Sequence, residues 1–95
     1  MNINIESLKF KTDGKLVDFI NEKVQKLTTF NTEIINADIV LKIEKNDEKE
    51  NKIVDVTLEL RGHKLFASEQ SKSFEDAILE VVDALKSQLL KLKKD

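Results

Sequence analysis

The segment KIVDVTLEL constrains the fold most, because its apolar and polar residues alternate with a period of two. The alternation starts at Val54: its apolar members are Val54, Val56, Leu58 and Leu60, and the polar residues between them are Asp55, Thr57 and Glu59. Successive side chains of a strand point to opposite faces, so this pattern predicts a strand with one buried face and one face in water.

Two other segments repeat their apolar residues every three or four positions. They cover residues 16–30 and residues 74–92. This spacing places the apolar side chains on one side of a helix, so the sequence predicts two amphipathic helices. Candidate N-terminal caps precede them: Thr12 or Asp13 for the first helix, and Ser71 or Ser73 for the second.

Three further segments are predicted strands: residues 2–8, residues 37–43 and the weaker KLFASEQ at 64–70. The apolar-free stretch KNDEKENK is predicted as a hairpin loop, and Gly62-His63 as a tight turn. The order β-α-β-β-β-α predicts an α+β fold, in which two helices pack on one face of a four-stranded sheet. A right-handed crossover would make the first two strands parallel, and the last three strands would form an antiparallel meander.

The chain contains little that could build a catalytic or metal site. It has one histidine, His63, no cysteine, and only Gly14 and Gly62 as glycines, too few for a phosphate-binding loop. We interpret His63 as a partly exposed turn residue, because the sequence places no nucleophile or acid partner beside it. The acidic DEKE stretch lacks the spacing and glycine of a calcium loop. We therefore predict that the protein is not an enzyme and that it uses no metal or cofactor.

The length of 95 residues suits one domain and is too short for two. The sequence has no run near the ~20 apolar residues of a membrane-spanning helix. Its N-terminal residues alternate, whereas a signal peptide contains an apolar block. We expect a single cytoplasmic domain, residues 1–95, that has no membrane partner.

Lysines are concentrated near the end of the second helix. The lysines are Lys86, Lys91, Lys93 and Lys94, and the acids earlier in the helix are Glu75, Asp76, Glu80 and Asp83. The helix dipole favours this order, so a solvated helix end explains it without any ligand. The formal net charge of −2 also argues against a general nucleic-acid binder unless the fold separates the two signs of charge.

A binding surface is the alternative interpretation of these lysines. Lys23 and Lys26 lie near the end of the first helix, so lysines of both helices would border one groove if the helices lie side by side. Such lysines contact backbone phosphates and give salt-sensitive binding with little sequence specificity. Phe66 lies out of phase with the apolar residues beside it and is the candidate for base stacking.

Four segments together resemble a known family: FINEKVQKL, ADIVLKIEK, LFASEQSKSFEDAI and VVDALKSQLLKLKK. In their order and spacing, and in the β-α-β-β-β-α succession, the chain is similar to the ribosome hibernation promoting factors. This family includes the ribosome-associated inhibitor and the sigma-54 modulation proteins. The resemblance covers essentially the whole chain.

The resemblance implies a fold like that of double-stranded-RNA-binding domains, and a function without catalysis. Family members bind the small ribosomal subunit and its ribosomal RNA, in the channel used by messenger and by A- and P-site transfer RNA. They thereby block translation in starved or stationary cells. The chain is similar to the short form, which lacks a C-terminal dimerisation domain. A ribosome-pairing factor that such a protein assists is a further candidate partner. We expect no DNA partner.

The resemblance also implies RNA-contact residues. Lys23 and Lys26 match the family's basic positions in the first helix, and Lys91 and Lys93 match the lysines that follow its Gln-Leu pair, here beginning at Gln88. These four lysines are the first candidates for phosphate contact.

The chain departs from the family where members often carry basic residues, at Ala84 and Ser87. Lys86 and Lys94 stand at neighbouring positions and are candidate substitutes. Ser73-Phe74-Glu75 also replaces a common Asp-Met-Tyr sequence. These departures and the acidic total motivate an alternative function, in which the chain is a protein-interaction module that uses the fourth strand's edge or the wet sheet face without binding RNA.

Overall fold

The computed structural model describes residues 1–44 and 49–92. The strands are β1 (Asn2–Ser7), β2 (Ile34–Ile43), β3 (Lys52–Leu60) and β4 (His63–Ser71), and the helices are α1 (Gly14–Gln25) and α2 (Phe74–Leu92). A short 3-10 turn, Lys26–Thr29, follows α1 directly. The predicted β-α-β-β-β-α order is confirmed.

The four strands form one sheet in the order β1-β2-β3-β4. β1 pairs with β2 in parallel, and the pairs β2–β3 and β3–β4 are antiparallel, as predicted. β1 and β4 are therefore the edge strands.

Both helices cover the same face of the sheet. α1 contacts β1, α2 contacts β3 and β4, and the two helices contact each other. Side chains from both layers are fully buried between them, including Ile20, Val24, Leu27, Leu41, Val56, Leu58, Ile78, Val81, Leu85 and Leu89. Burying a large aliphatic side chain contributes about 1.5–3 kcal/mol, so this layer fixes the positions of the helices.

The N-terminal caps are Asp13 and Ser73. The Asp13 carboxylate accepts a hydrogen bond from the Leu16 amide at 2.8 Å, and the Ser73 hydroxyl accepts one from the Asp76 amide at 3.1 Å. Of the two candidates for the second cap, Ser71 is instead the buried last residue of β4.

The first helix ends earlier than predicted. The α-helix stops at Gln25, and the chain tightens into the 3-10 turn before Phe30. The hydroxyls of Thr28 and Thr29 each donate to the carbonyl three residues earlier, at 2.8 Å, which offers the backbone an alternative to α-helical bonding.

The second strand begins earlier than predicted, at Ile34 instead of Ala37. An irregularity in its pairing with β3 lies between Ile34 and Asn36 and leaves Ile35 exposed. Such a bulge breaks the period of two, and the alternation in the sequence therefore becomes visible only after it.

The turn between β3 and β4 consists of Arg61 and Gly62, so the predicted turn at Gly62-His63 is wrong by one residue. His63 already pairs with Leu60 across the hairpin. The left-handed conformation falls on Gly62, with φ of 83°, which glycine adopts without a Cβ penalty. In the described part of the chain, no helix is long and apolar enough to cross a membrane.

Candidate nucleic-acid interface

Three of the predicted lysines are carried by elements that meet on the helical side of the domain. Lys23 lies in the last turn of α1, Lys26 begins the 3-10 turn, and Lys86 lies on α2. α2 contacts both α1 and the 3-10 turn. We call these three lysines the junction lysines.

Two of the junction lysines lie over aromatic rings. The Lys86 ammonium is 5.0 Å from the centre of the Phe30 ring, and the Lys23 ammonium is 5.6 Å from the centre of the Phe19 ring. Both distances are within the ~6 Å range of a cation–π interaction. Phe19 and Phe30 are half-buried and pack against the core, as their place in the apolar pattern predicted.

Phe30 and Phe19 were not predicted to position lysines. The Phe19–Lys23 pair has the i, i+4 spacing that brings helix side chains together, so the sequence contained a signal for it. Phe30 and Lys86 belong to different elements, and their contact depends on how α2 packs beside the 3-10 turn. Local sequence holds no signal for such a pair.

Lys91 is exposed, and it lies on a different side of α2 from Lys86. The two residues are separated by five positions, which rotates one from the other by about 140°. Lys91 follows Gln88, whose side chain reaches the β4 edge, so it lies on the flank of α2 that faces that edge. The structure therefore does not place Lys91 with the junction lysines.

Lys86 and Lys94 stay candidate substitutes for the basic residues missing at Ala84 and Ser87, but Lys86 lies on a different side of α2 from Ala84. Residues two positions apart point to nearly opposite sides of a helix, about 200° apart. Lys91, seven positions after Ala84, shares its side instead. Lys93 and Lys94, the remaining predicted contacts, lie outside the described residues.

The junction lysines have no acidic partner close enough for an ion pair within residues 1–44 and 49–92. The ion pair found there joins Lys42 to Asp55, at 2.6 Å, on the opposite face of the sheet. The acids of α2 precede Lys86 along the helix: Glu75 and Asp76 lie in the first turn, and Asp83 lies one turn before Lys86. Positive charge on the helical side is therefore free to meet an anionic ligand.

The outer sheet face is polar and largely bonded to itself. Asn4 donates to Asp38 at 3.0 Å, Asn36 donates to Glu59 at 2.9 Å, and Ser68 donates to Asp55. Phe66 is the aromatic residue on this face, and its side chain is 57% exposed. The prediction that Phe66 points away from the core is confirmed.

One carbonyl of the β4 edge is already occupied. The Gln88 side chain donates from Nε2 to the Phe66 carbonyl at 3.0 Å. An added strand would have to displace this bond. His63 is exposed at the start of β4.

Comparison with known proteins identifies the family. Residues 3–95 match the model described as sigma 54 modulation protein / S30EA ribosomal protein. The chain belongs to this family.

Its curated relatives include two proteins named ribosome hibernation promoting factor. The one from Klebsiella oxytoca is 32% identical over 93 residues, covering 98% of this chain and 94% of the relative. The one from Pseudomonas putida is 28% identical over 94 residues, covering 99% of this chain and 88% of the relative.

Two solved structures share the fold of this chain. A ribosomal subunit interface protein from Coxiella burnetii has a TM-score of 0.89 at 24% identity, with full coverage of both chains. The N-terminal domain of Protein Y from Thermus thermophilus has a TM-score of 0.85 at 20% identity, covering 98% of this chain and 100% of that domain. At these identities the likeness establishes the fold alone. The four-stranded sheet with two helices on one face is thus a fold that these two solved proteins also adopt.

Proposed function

We propose that the protein is a ribosome hibernation factor that binds the small ribosomal subunit in its decoding channel. There it excludes messenger and the A- and P-site transfer RNAs, and so stops translation in starved or stationary cells. The family match along residues 3–95 carries this proposal, together with the names of the Klebsiella and Pseudomonas relatives. The protein acts in the cytoplasm and needs no catalytic step, because occupying the channel is sufficient.

The contact surface in this proposal is the helical side of the domain. Lys23, Lys26, Lys86 and Lys91 contact phosphates of ribosomal RNA. Lys93 and Lys94, outside the described residues, are further candidates for phosphate contact. Lysine is a point charge on a flexible stem, so on this surface we expect it to contact the phosphate backbone more than base edges. Binding should therefore depend on RNA shape and weaken steeply with salt.

The test is co-sedimentation of the purified protein with empty small subunits through a series of salt concentrations. We expect association at low salt and a loss of affinity as salt rises. Messenger and transfer RNA bound beforehand should prevent association. If the protein stays in the supernatant at low salt, the proposal is wrong.

Charge-reversed variants test the surface itself. One variant replaces Lys23, Lys26, Lys86 and Lys91 with Glu and should not co-sediment. The matched control replaces four other exposed lysines, Lys11, Lys49, Lys64 and Lys72, with Glu and changes the formal net charge equally. An equal loss in both variants would mean that only total charge matters and would refute the assignment of the surface.

The alternative is a protein-interaction module that uses the outer sheet face. The exposed Phe66 favours it, because exposed aromatic side chains often anchor protein partners. The Gln88 bond to the β4 edge argues against strand addition there. Ribosome binding that survives the four-lysine reversal but is lost in Phe66→Ala would favour this alternative.

A further inference from the structure

We propose that Phe30 is a positioning residue for RNA binding, because its ring holds the Lys86 ammonium in place beside the 3-10 turn. This inference rests on the proposed function and assigns a role to a residue that carries no charge. Phe30 acts through Lys86 and does not itself contact RNA.

The Phe30 ring contacts both the core and the Lys86 side chain. Phe30 follows the 3-10 turn and packs against the core, so its position is set by the fold. Part of the ring stays uncovered by the core, and the Lys86 ammonium lies 5.0 Å from the ring centre. A cation–π contact uses at most one of the three N–H donors of the ammonium, so the others remain available to a phosphate.

Holding Lys86 in place favours binding because a free lysine side chain loses rotamer freedom when it binds. This loss costs up to about 2 kcal/mol for an unrestrained lysine. A side chain that is already restrained in the unbound protein loses less, so the same phosphate contact gives a higher affinity.

Phe30 is a stronger candidate for this role than Phe19. The Phe19–Lys23 pair lies within one helix, so its geometry follows from α1 alone. The Phe30–Lys86 pair joins two elements and restrains a lysine of α2 beside the 3-10 turn that carries Lys26.

The central variant is Phe30→Leu, which keeps an apolar side chain against the core and removes the ring. A cation–π contact at a solvent-exposed site corresponds to about a 2- to 5-fold change in an equilibrium constant. We expect Phe30→Leu to bind purified small subunits about 2- to 5-fold more weakly. Phe30→Tyr keeps the ring and should retain most of the affinity. The matched control is Phe10→Leu, the same substitution at a half-buried ring that stacks on Phe74 with centroids 5.2 Å apart, and it should leave the affinity unchanged.

Two readouts separate positioning from a loss of folding. The slope of log affinity against log salt should stay the same in Phe30→Leu, because no charge is lost, and should fall by about 1 in Lys86→Gln. In the Lys86→Gln background, Phe30→Leu should cause no further loss, because the lysine through which Phe30 acts is absent.

The unbound protein provides a measurement that does not need RNA. Protons on the Lys86 side chain should show an upfield ring-current shift in NMR spectra, and Phe30→Leu should abolish it. The inference is overturned if that shift is absent, if Phe30→Leu binds as well as the native protein, or if it weakens binding equally in the Lys86→Gln background. The proposed function fails separately, if the native protein does not bind small subunits at all.

Discussion

Asp55 should stabilise the sheet through its charge, and the substitution Asp55→Asn tests this. Its carboxylate lies on the outer sheet face, 2.6 Å from the Lys42 ammonium, and it also accepts a hydrogen bond from the Ser68 hydroxyl. These partners come from β2 and β4, on either side of β3. Asparagine has nearly the same shape, so the substitution removes the charge and little else.

The expected loss is about 1 kcal/mol in the free energy of unfolding. The Asp55 side chain is 17% exposed and that of Lys42 is 42% exposed, so water screens the pair in part. Partly exposed ion pairs contribute about 0.2–1 kcal/mol, and the asparagine carbonyl can still accept the Ser68 hydrogen bond. For a domain of this size, 1 kcal/mol corresponds to a fall of about 4–8 °C in melting temperature.

The effect should depend on pH in a defined direction. Burial alone would raise the pKa of Asp55, but the hydrogen bonds from Lys42 and Ser68 and the charge of Lys42 outweigh it and lower the pKa below 3.8. The unfolded chain therefore binds a proton more readily than the folded one, and the stabilisation is fully present above the unfolded pKa. It is lost as pH falls through the folded pKa.

Urea unfolding followed by circular dichroism, at steps from pH 7 to pH 3, measures this difference. The difference in free energy of unfolding between the native protein and Asp55→Asn should be constant above about pH 5. It should become smaller below about pH 4. The matched control is Asp38→Asn on the same face, where the partner is the neutral Asn4 side chain; it should change stability by less than about 0.5 kcal/mol. A gap at pH 3 as large as that at pH 7 would refute the role of the charge.

Three further substitutions test the fold that holds the junction lysines. Gly62→Ala should lower stability by about 1–2 kcal/mol, because alanine is strained at φ of 83°, and an unchanged urea midpoint would contradict this. Leu85→Ala should cost about 2–5 kcal/mol in the same assay, since Leu85 is fully buried between α2 and the sheet; a cost below 1 kcal/mol would mean that the site collapses freely. Ser73→Ala should cost about 1 kcal/mol and speed amide exchange in the first turn of α2, whereas native exchange there would rule out the cap.

The elements of this fold are largely encoded in local periodicity. Alternation from Val54 to Leu60 predicts β3 because the sheet covers one face of that strand and leaves the other in water. Sequence prediction failed where local bonds broke the period. The hydrogen bonds of the Thr28 and Thr29 hydroxyls accompany the end of α1 at Gln25. The bulge near Ile35 interrupts the alternation at the start of β2, so the first residues of that strand were not predicted.

The candidate site could be predicted only in part. The positions of Lys23, Lys26 and Lys86 near helix ends follow from the sequence. Which side of α2 faces the 3-10 turn is decided by the packing of Leu85 and Leu89 on the sheet, and that packing assigns Lys86 and Lys91 to different flanks. The Phe30–Lys86 contact depends on the same packing, so periodicity gave no indication of it.

The net charge of −2 does not describe the field that RNA would meet at the end of α2. α2 has 19 residues and is therefore about 28 Å long, whereas charges in physiological salt are screened over about 8 Å. A phosphate near Lys91 is several screening lengths from Glu75 and Asp76, and the acids of the outer sheet face lie beyond the core.

The nearest opposing charge on α2 is Asp83, one turn before Lys86. Replacing Asp83 with Asn should therefore strengthen small-subunit binding, whereas Glu75→Gln should not, although both remove one negative charge. Equal effects would mean that binding responds to total charge and not to its arrangement along the helix.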